Sequence, residues 1–168
     1  IGIYIKTYRC CLLVVIMLEV EGLTKSFGMG SNKLEVLKGI DMEMKTGELV
    51  ALMGPSGCGK STLLNIIGGL LPGDGGKITL KSRDYGLKGP SSVVDVRRDL
   101  VGWIFQDFHL LNHLSAMDNV AMALELSGIE SKEAEIRAAE ALNKVGLGDR
   151  MHHIPEQLSG GQQQRVAI

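Results

Sequence analysis

Cysteine and aromatic residues are scarce in this sequence, and it lacks a long apolar run. Aromatic residues make up 4% of the chain, and its three cysteines are Cys10, Cys11 and Cys58. Two of these are adjacent and the third is distant, which matches neither a disulfide spacing nor a zinc-ligand spacing. This cysteine usage favours a reducing, cytosolic compartment. The apolar run 10–18 has nine residues, whereas a membrane-spanning helix needs about 20.

The sequence also lacks an excess of either charge. Its 18 Lys and Arg residues nearly balance its 19 Asp and Glu residues, which gives a net charge of −1 at pH 7. This balance argues against a nucleic-acid binder that relies on bulk positive charge. With 168 residues, 45% of them hydrophobic and 22% charged, the chain can form one globular domain with a sizeable core.

The N-terminal segment does not resemble the rest of the chain. Its apolar run follows two basic residues, as in a signal peptide, but no small-residue cleavage site comes after it. Residues 17–23 instead alternate apolar and polar side chains, which predicts a half-buried strand. We therefore hypothesise that the native protein begins at Met17 and that residues 1–16 are a non-native extension. N-terminal sequencing of the product of its own gene tests this.

The chain is organised around one glycine-rich stretch that reads G-x-x-x-x-G-K-S, the pattern of a phosphate-binding P-loop. A short apolar run, 48–53, precedes it and predicts a buried strand, and apolar residues at helical spacing follow over 63–71. Its glycines let backbone N–H groups turn inward toward a polyphosphate, and the following helix N-terminus favours anions. The alternative is a glycine-rich turn that matches by chance. The predicted phosphate-binding residues are Gly54, Pro55, Ser56, Gly57, Cys58, Gly59, Lys60, Ser61 and Thr62. Among them, Lys60 supplies a cation for the outer phosphates and Ser61 a hydroxyl for Mg²⁺.

Strands predominate in the first part of the chain. The patterns predict mostly strand over 17–53, a strand over 77–80, a charged helix over 93–100 and a buried strand over 101–105. Gln106 stands at the end of that last strand.

Helices predominate after residue 107. Ser115, with Asp118 three residues on, predicts a helix N-terminus, and the helix continues to about Leu126. Ser131 is the predicted cap of a second helix that continues to Val145. On this second helix we expect one apolar face formed by Ile136, Leu142 and Val145.

A second glycine motif, LSGGQ, starts at Leu158, 98 residues after Lys60. Ser159 is a typical N-cap residue, two glycines expose backbone N–H groups, and a helix is predicted behind them. An ordinary loop–helix junction is the alternative for this string alone. In combination with the P-loop, the motif resembles the signature sequence of the ATP-binding cassette (ABC) ATPases, and the resemblance extends from about Met17 to Ile168.

The resemblance implies an α/β fold: a P-loop NTPase of the ABC type, with a nucleotide-binding core over 17–106 and a helical subdomain over 107–168. It implies that Phe27 stacks on adenine, with core packing as the alternative, and that Gln106 contacts Mg²⁺ and the attacking water. Mg²⁺ would then be held by Ser61 and Gln106. The resemblance also implies that a second subunit's ATP is bound in trans by Ser159, Gly160, Gly161 and Gln162.

The family pattern places an Asp-Glu pair and a later His beyond the position of Ile168. We therefore expect this chain to be a fragment without its C-terminal part, with negligible ATPase activity and poor stability on its own. Asp107 is not expected to replace the missing catalytic base. The histidines, which we interpret as surface or interface residues, are His109, His113, His152 and His153.

The strings GPSGCGKSTLLNIIGGL and PEQLSGGQQQRVAI are similar to the branch of ABC ATPases that serves lipoprotein release, macrolide export and cell division. That branch implies ATP and Mg²⁺ as cofactors, a homodimer or paired ATPase subunit, and an integral-membrane permease, on the cytoplasmic face of the cell membrane and without nucleic acid. The leading expectation is the ATP-binding subunit of an exporter or lipoprotein-release transporter. A regulatory cell-division ATPase that transports nothing is the alternative. A soluble ABC ATPase acting on ribosomes or DNA, and a P-loop kinase or GTPase, fit less well.

Overall fold

The computed structural model describes residues 4–8 and 16–168. The hypothesis that the native protein starts at Met17 concerns a segment that lies largely outside these residues, and it stays a prediction. The chain divides into two compact units, one ending at Gly102 and the other running from Trp103 to Ile168. Each unit is described below by itself. The predicted division between residues 106 and 107 stays a prediction.

In its described residues, the first unit contains two antiparallel sheets and two α-helices. Its strands and α-helices are β1 (Tyr4–Tyr8), β2 (Ile16–Phe27), β3 (Leu34–Lys45), β4 (Leu49–Met53), α1 (Lys60–Ile67), β5 (Gly75–Leu80), β6 (Arg83–Asp84) and α2 (Val94–Leu100). Strands β3, β2, β5 and β6 form a four-stranded sheet in that order, and β1 pairs with β4 in a two-stranded sheet. The prediction of mostly strand over 17–53 is therefore confirmed.

A bulge in β2 changes which side chains face the core. Leu18 and Val20 are buried, and so is Leu23, although regular alternation would place Leu23 on the opposite face. The register between β2 and β3 shifts between Val20 and Leu23, where Gly22 has φ 55°. An extra residue in one strand reverses the alternation beyond it. The bulge thereby also places Lys25 among the buried residues.

Two expectations about buried strands were wrong. β4, predicted to be buried, has exposed side chains at Leu49 and Met53, and among the described residues it pairs with β1 alone. Residues 101–105 form no strand, and Ile104 is 55% exposed. A strand requires a hydrogen-bonded neighbour, and within the described part of the chain 101–105 has none. Apolar composition alone therefore did not decide the structure of this segment.

The second unit contains three α-helices, α3 (Ala116–Leu126), α4 (Ser131–Lys144) and α5 (Gly160–Ala167). The predicted start of α3 is confirmed, because Ser115 and Asp118 form a reciprocal capping box. The predicted cap of α4 was wrong, since Ser131 is its first helical residue and Glu130 is the N-cap.

The predicted apolar face of α4 was only partly right. Leu142 is buried, but Ile136 is 57% exposed, and the face is completed by Ala134 and Ala138. Residues four apart lie on one side of a helix, so these two alanines share the side of Leu142 and Ile136 points elsewhere. The alanines pack with Ala121 of α3 in a small core. No helix in the described part of the chain combines the length and apolar character needed to cross a membrane.

Candidate functional site

The predicted P-loop connects β4 to α1. Helix α1 begins at Lys60, and its N-cap is Gly59, which has φ 99° and offers no side-chain cap. The first N–H groups of a helix have no intrahelical acceptor, and here no capping side chain takes one. Leu63 N–H donates to the Gly59 carbonyl oxygen at 2.9 Å, so regular helical bonding starts directly at the loop. The result is an open helix N-terminus with its positive dipole end exposed.

A cavity of about 560 Å³ lies at this helix N-terminus. Its lining residues come from the loop, from the first turn of α1 and from β3: Val36, Ser56, Gly57, Gly59, Lys60, Ser61 and Thr62. A Cβ at Gly59 would lie 3.0 Å from Leu37 Cδ2 and 3.1 Å from Val36 Cγ1. This crowding, together with the left-handed backbone of Gly59, favours glycine at this position. The open N–H groups and the adjoining cavity fit a polyphosphate.

The ammonium of Lys60 is bonded within its own loop. Lys60 Nζ donates to the carbonyl oxygens of Gly54 and Pro55, both at 2.8 Å, and lies 3.7 Å from Cys58 Sγ. A lysine has three donors on a flexible stem, so the same group can exchange these carbonyls for phosphate oxygens. Ser61, in the first turn of α1, is exposed.

Phe27 is the last residue of β2 and lies opposite Leu34 of β3. It is 43% exposed, so it is not a core residue, and it is not among the residues that line the cavity. Lys25 Nζ lies over its ring, 5.6 Å from the centroid. The ring is therefore available for stacking.

Gln106 belongs to the second unit and does not stand at the end of a buried strand. It is exposed and lies in a turn. The segment before it is aromatic: the rings of Trp103 and Phe105 are stacked at 5.6 Å, and Phe105 is stacked on His109 at 4.3 Å. These side chains stack on one another, and the Phe108 N–H donates to the Phe105 carbonyl oxygen at 3.1 Å, as in a turn. Asp107, His109, His113 and His152 are exposed and His153 is half-buried.

The second glycine motif forms a capped helix N-terminus. Ser159 N–H donates to Gln162 Oε1 at 2.8 Å, and Gln162 N–H donates to Ser159 Oγ at 3.4 Å. Gln163 N–H donates to the Ser159 carbonyl oxygen. The N–H groups of Gly160 and Gly161 are left at the start of α5 with no acceptor recorded among the described residues.

Two contributors to these sites were not identified from the sequence. Val36 lines the cavity because β3 passes beside the P-loop, which no local pattern indicates. Gln163 Nε2 donates to the carbonyl oxygens of Pro155 at 2.8 Å and Leu158 at 3.1 Å. Its position four residues after Ser159, one helical turn away, was the available signal.

Residues 37–168 match the profile of the ABC transporter family. The chain belongs to this family. An uncharacterized ABC transporter ATP-binding protein of Thermotoga maritima is 43% identical over 152 residues, which are 90% of this chain and 65% of that protein. The macrolide export ATP-binding/permease protein MacB of Wolinella succinogenes is 44% identical over 90% of this chain and 24% of its own length. The chain thus spans less than two thirds of the curated relatives it matches here.

The solved structures agree with this ABC assignment. The ATP-binding cassette MJ0796, in a dimeric post-hydrolysis state with ADP and Pi, has a TM-score of 0.79 and 38% identity. The match covers 90% of this chain and 67% of that cassette. A second structure of MJ0796, described as a dimeric bacterial ABC transporter cassette, gives the same values. The fold is therefore that of an α/β P-loop NTPase of the ABC type, in a family of ATP-binding ATPases.

Proposed function

We propose that this chain is the ATP-binding part of an ABC transporter and that it binds the phosphates of ATP with residues 54–62. The observation that carries this proposal is the uncapped N-terminus of α1, which opens on a cavity beside Lys60. The backbone N–H groups of the first turn donate to phosphate oxygens. Lys60 exchanges the carbonyls of Gly54 and Pro55 for the outer phosphates.

The remaining nucleotide contacts are assigned from the family resemblance and from local geometry. The exposed ring of Phe27 stacks on adenine. The hydroxyl of Ser61, at the start of α1, and the amide of Gln106 are oxygen donors of the kind that Mg²⁺ prefers. A Mg²⁺ ion held by such donors would supply charge stabilisation for phosphoryl transfer to water. These donor types support a role in ATP hydrolysis as well as in binding.

The signature loop contacts a second subunit in this proposal. Gly160 and Gly161 present free N–H groups at the start of α5, and Ser159 and Gln162 hold the loop in shape. Two copies bound head to tail would clamp one ATP between a P-loop and a signature loop. The dimeric state described for MJ0796 supports this arrangement. Residues 17–106 would then form the nucleotide-binding core, and 107–168 the helical subdomain.

For the whole protein we propose export or lipoprotein release with an integral-membrane permease, on the cytoplasmic face of the membrane. The MacB relatives are named macrolide export ATP-binding/permease proteins, which supports the export type. Regulation of a cell-division complex without transport is the second candidate, and it rests on the sequence resemblance alone. The gene beside this one, if it encodes a membrane subunit, discriminates between them.

Replacing Lys60 tests the proposed site. In the full-length protein, Lys60→Ala should abolish binding of ATP and of inorganic tripolyphosphate in titration calorimetry, because both rely on the same ammonium. Lys132→Ala, at an exposed position of α4, is the matched control and should bind both ligands like the wild type. Unchanged binding by the Lys60 variant would contradict the proposal.

Ser159→Arg tests the trans assignment. This variant should bind ATP as a monomer with unchanged affinity, because in this proposal the signature loop contacts the nucleotide of the other subunit. It should lose ATP-dependent dimerisation, measured by light scattering, because the larger charged side chain obstructs the loop. Loss of monomer nucleotide binding would show that the assignment is wrong.

A further inference from the structure

A single carboxylate holds the end of β2 in place. Asp74, immediately before β5, accepts a hydrogen bond from Lys25 Nζ on Oδ1 at 2.6 Å and one from the Ser26 N–H on Oδ2 at 2.7 Å. Its own N–H donates to the carbonyl oxygen of Thr24 at 2.9 Å. Three consecutive residues of β2 are thus bonded to one residue, and Phe27 comes directly after them.

The position of Lys25 depends on this carboxylate. Lys25 is the charged residue that the described part of the chain buries, with a side chain only 11% exposed. A buried ammonium is unfavourable unless it is paired. Asp74 is its ion-pair partner. Without the carboxylate, Lys25 would have to leave its place to regain water.

Lys25 in turn covers one face of the Phe27 ring. Its Nζ lies over that ring at 5.6 Å from the centroid, within the range of a cation–π contact. Phe27 nevertheless remains 43% exposed. Lys25 therefore occupies one face of the ring, and a flat ligand can stack only where the ring remains exposed.

We propose that Asp74 is a positioning residue for the nucleobase: through Lys25 and Ser26 it holds Phe27 so that adenine stacks on the ring face opposite to Lys25. This inference rests on the proposed function, specifically on adenine binding by Phe27. It adds Asp74, a residue of the loop before β5 that lies 49 positions after Lys25, to the nucleotide site.

The test separates base recognition from phosphate binding. In the full-length protein, the affinities for ATP and for tripolyphosphate are measured by calorimetry in wild type, Asp74→Asn, Lys25→Met and Phe27→Ala. Phe27→Ala should weaken ATP binding about tenfold, since stacking of a base on an aromatic side chain has that order of effect. Asp74→Asn and Lys25→Met should weaken it by about threefold, as part of the same stacking effect. Tripolyphosphate binding should stay unchanged in all three.

Asp84→Asn is the matched control, because Asp84 is an exposed carboxylate of the same sheet, and its ATP affinity should equal that of the wild type. If Asp74 has a purely structural role, Asp74→Asn should weaken the binding of both ligands together, and this result would overturn the inference. It is also overturned if Phe27→Ala lowers the ratio of ATP to tripolyphosphate affinity while Asp74→Asn does not. An unchanged ratio in Phe27→Ala overturns it too, although the P-loop proposal survives if Lys60→Ala still abolishes binding. If the wild type binds neither ATP nor tripolyphosphate, the proposed function itself is contradicted.

Discussion

Helices α1 and α5 both have eight residues and both have glycines at their N-terminal ends, but these ends differ. α1 starts from Gly59 in the left-handed region with no side-chain cap, whereas α5 starts from an extended Ser159 with a complete capping box. In both loops one long side chain donates to two loop carbonyls. In the P-loop this side chain is the charged Lys60, and in the signature loop it is the neutral Gln163.

In the function proposed above, this difference would give two kinds of phosphate contact. An uncapped N-terminus with a flexible lysine beside it favours strong binding of a polyphosphate to the same subunit. A capped N-terminus keeps its shape without a ligand and offers only the N–H groups of its glycines. Such a loop suits a second, weaker contact with a phosphate that is already bound elsewhere.

The largest loss of stability is expected from replacing Gly59, the N-cap of α1. Gly59→Ala combines a left-handed backbone with a Cβ 3.0 Å from Leu37 Cδ2. It should lower the free energy of unfolding by about 2–4 kcal/mol, through backbone strain and overpacking together. Gly57, with φ 78° and nothing within 4 Å of its Cβ position, is the control, and its alanine variant should lose only about 1 kcal/mol. Equal losses in urea denaturation would refute the steric part of this account.

Removing the donor of the signature loop should have the next largest effect. Gln163→Met keeps the length and helix propensity of the side chain but deprives two loop carbonyls of their donor. We expect a loss of about 1–2 kcal/mol in stability, at about 1 kcal/mol for each hydrogen bond. Gln164→Met is the control, because Gln164 is exposed. If both variants melt at the same temperature, Gln163 does not support the loop.

The two capping boxes of the second unit sharpen the comparison further. Ser159→Ala and Ser115→Ala each remove an N-cap hydroxyl and should each lower stability by about 1 kcal/mol. Only Ser159→Ala should also weaken ATP-dependent dimerisation, because Ser115 caps α3, outside the signature loop. Chemical denaturation and light scattering measure the two effects separately. Equal dimerisation of both variants would leave Ser159 with a capping role only.

The smallest effect on stability is expected from the Lys25–Asp74 ion pair beside Phe27, in the unit that contains the P-loop. The hydrogen bond from Lys25, and then that from the Ser26 N–H, lower the pKa of Asp74 below its ordinary value of 3.8, against a smaller opposing effect of desolvation. A lowered folded-state pKa means that the stabilisation is present above pH 3.8 and is lost as the pH falls through the lowered pKa. Wild type should therefore be more stable than Asp74→Asn at pH 7, and the gap should close below pH 3.8. The gap is small because the Asp74 side chain is 42% exposed and solvent screens the pair.

Local patterns predicted the features that depend on neighbouring residues in the chain. The start of α1 behind the P-loop, the Ser115–Asp118 box of α3 and the helix behind Ser159 all follow from a few adjacent residues. Helix N-termini are determined by such short-range hydrogen bonds, so the sequence is sufficient for them.

Features that need a distant partner were not predicted. Residues 101–105 have strand composition, but pairing decides whether a strand forms. Burial of Lys25 follows from the bulge at Gly22 and from Asp74, 49 positions away. Val36 reaches the cavity only because β3 lies beside the loop. Each of these depends on tertiary contacts that periodicity does not encode.

The far end of α1 has a mechanical consequence. The Tyr85 hydroxyl donates to the Ile67 carbonyl oxygen, and Arg97 Nη1 donates to the Gly69 carbonyl oxygen at 2.9 Å. Burial raises the pKa of Tyr85 to about 12, so this hydroxyl keeps its proton in the working range. The C-terminal end of α1 is thus held by side chains from the β6–α2 region. If the P-loop binds phosphate as proposed, a load on Gly59 would pass along α1 to that region.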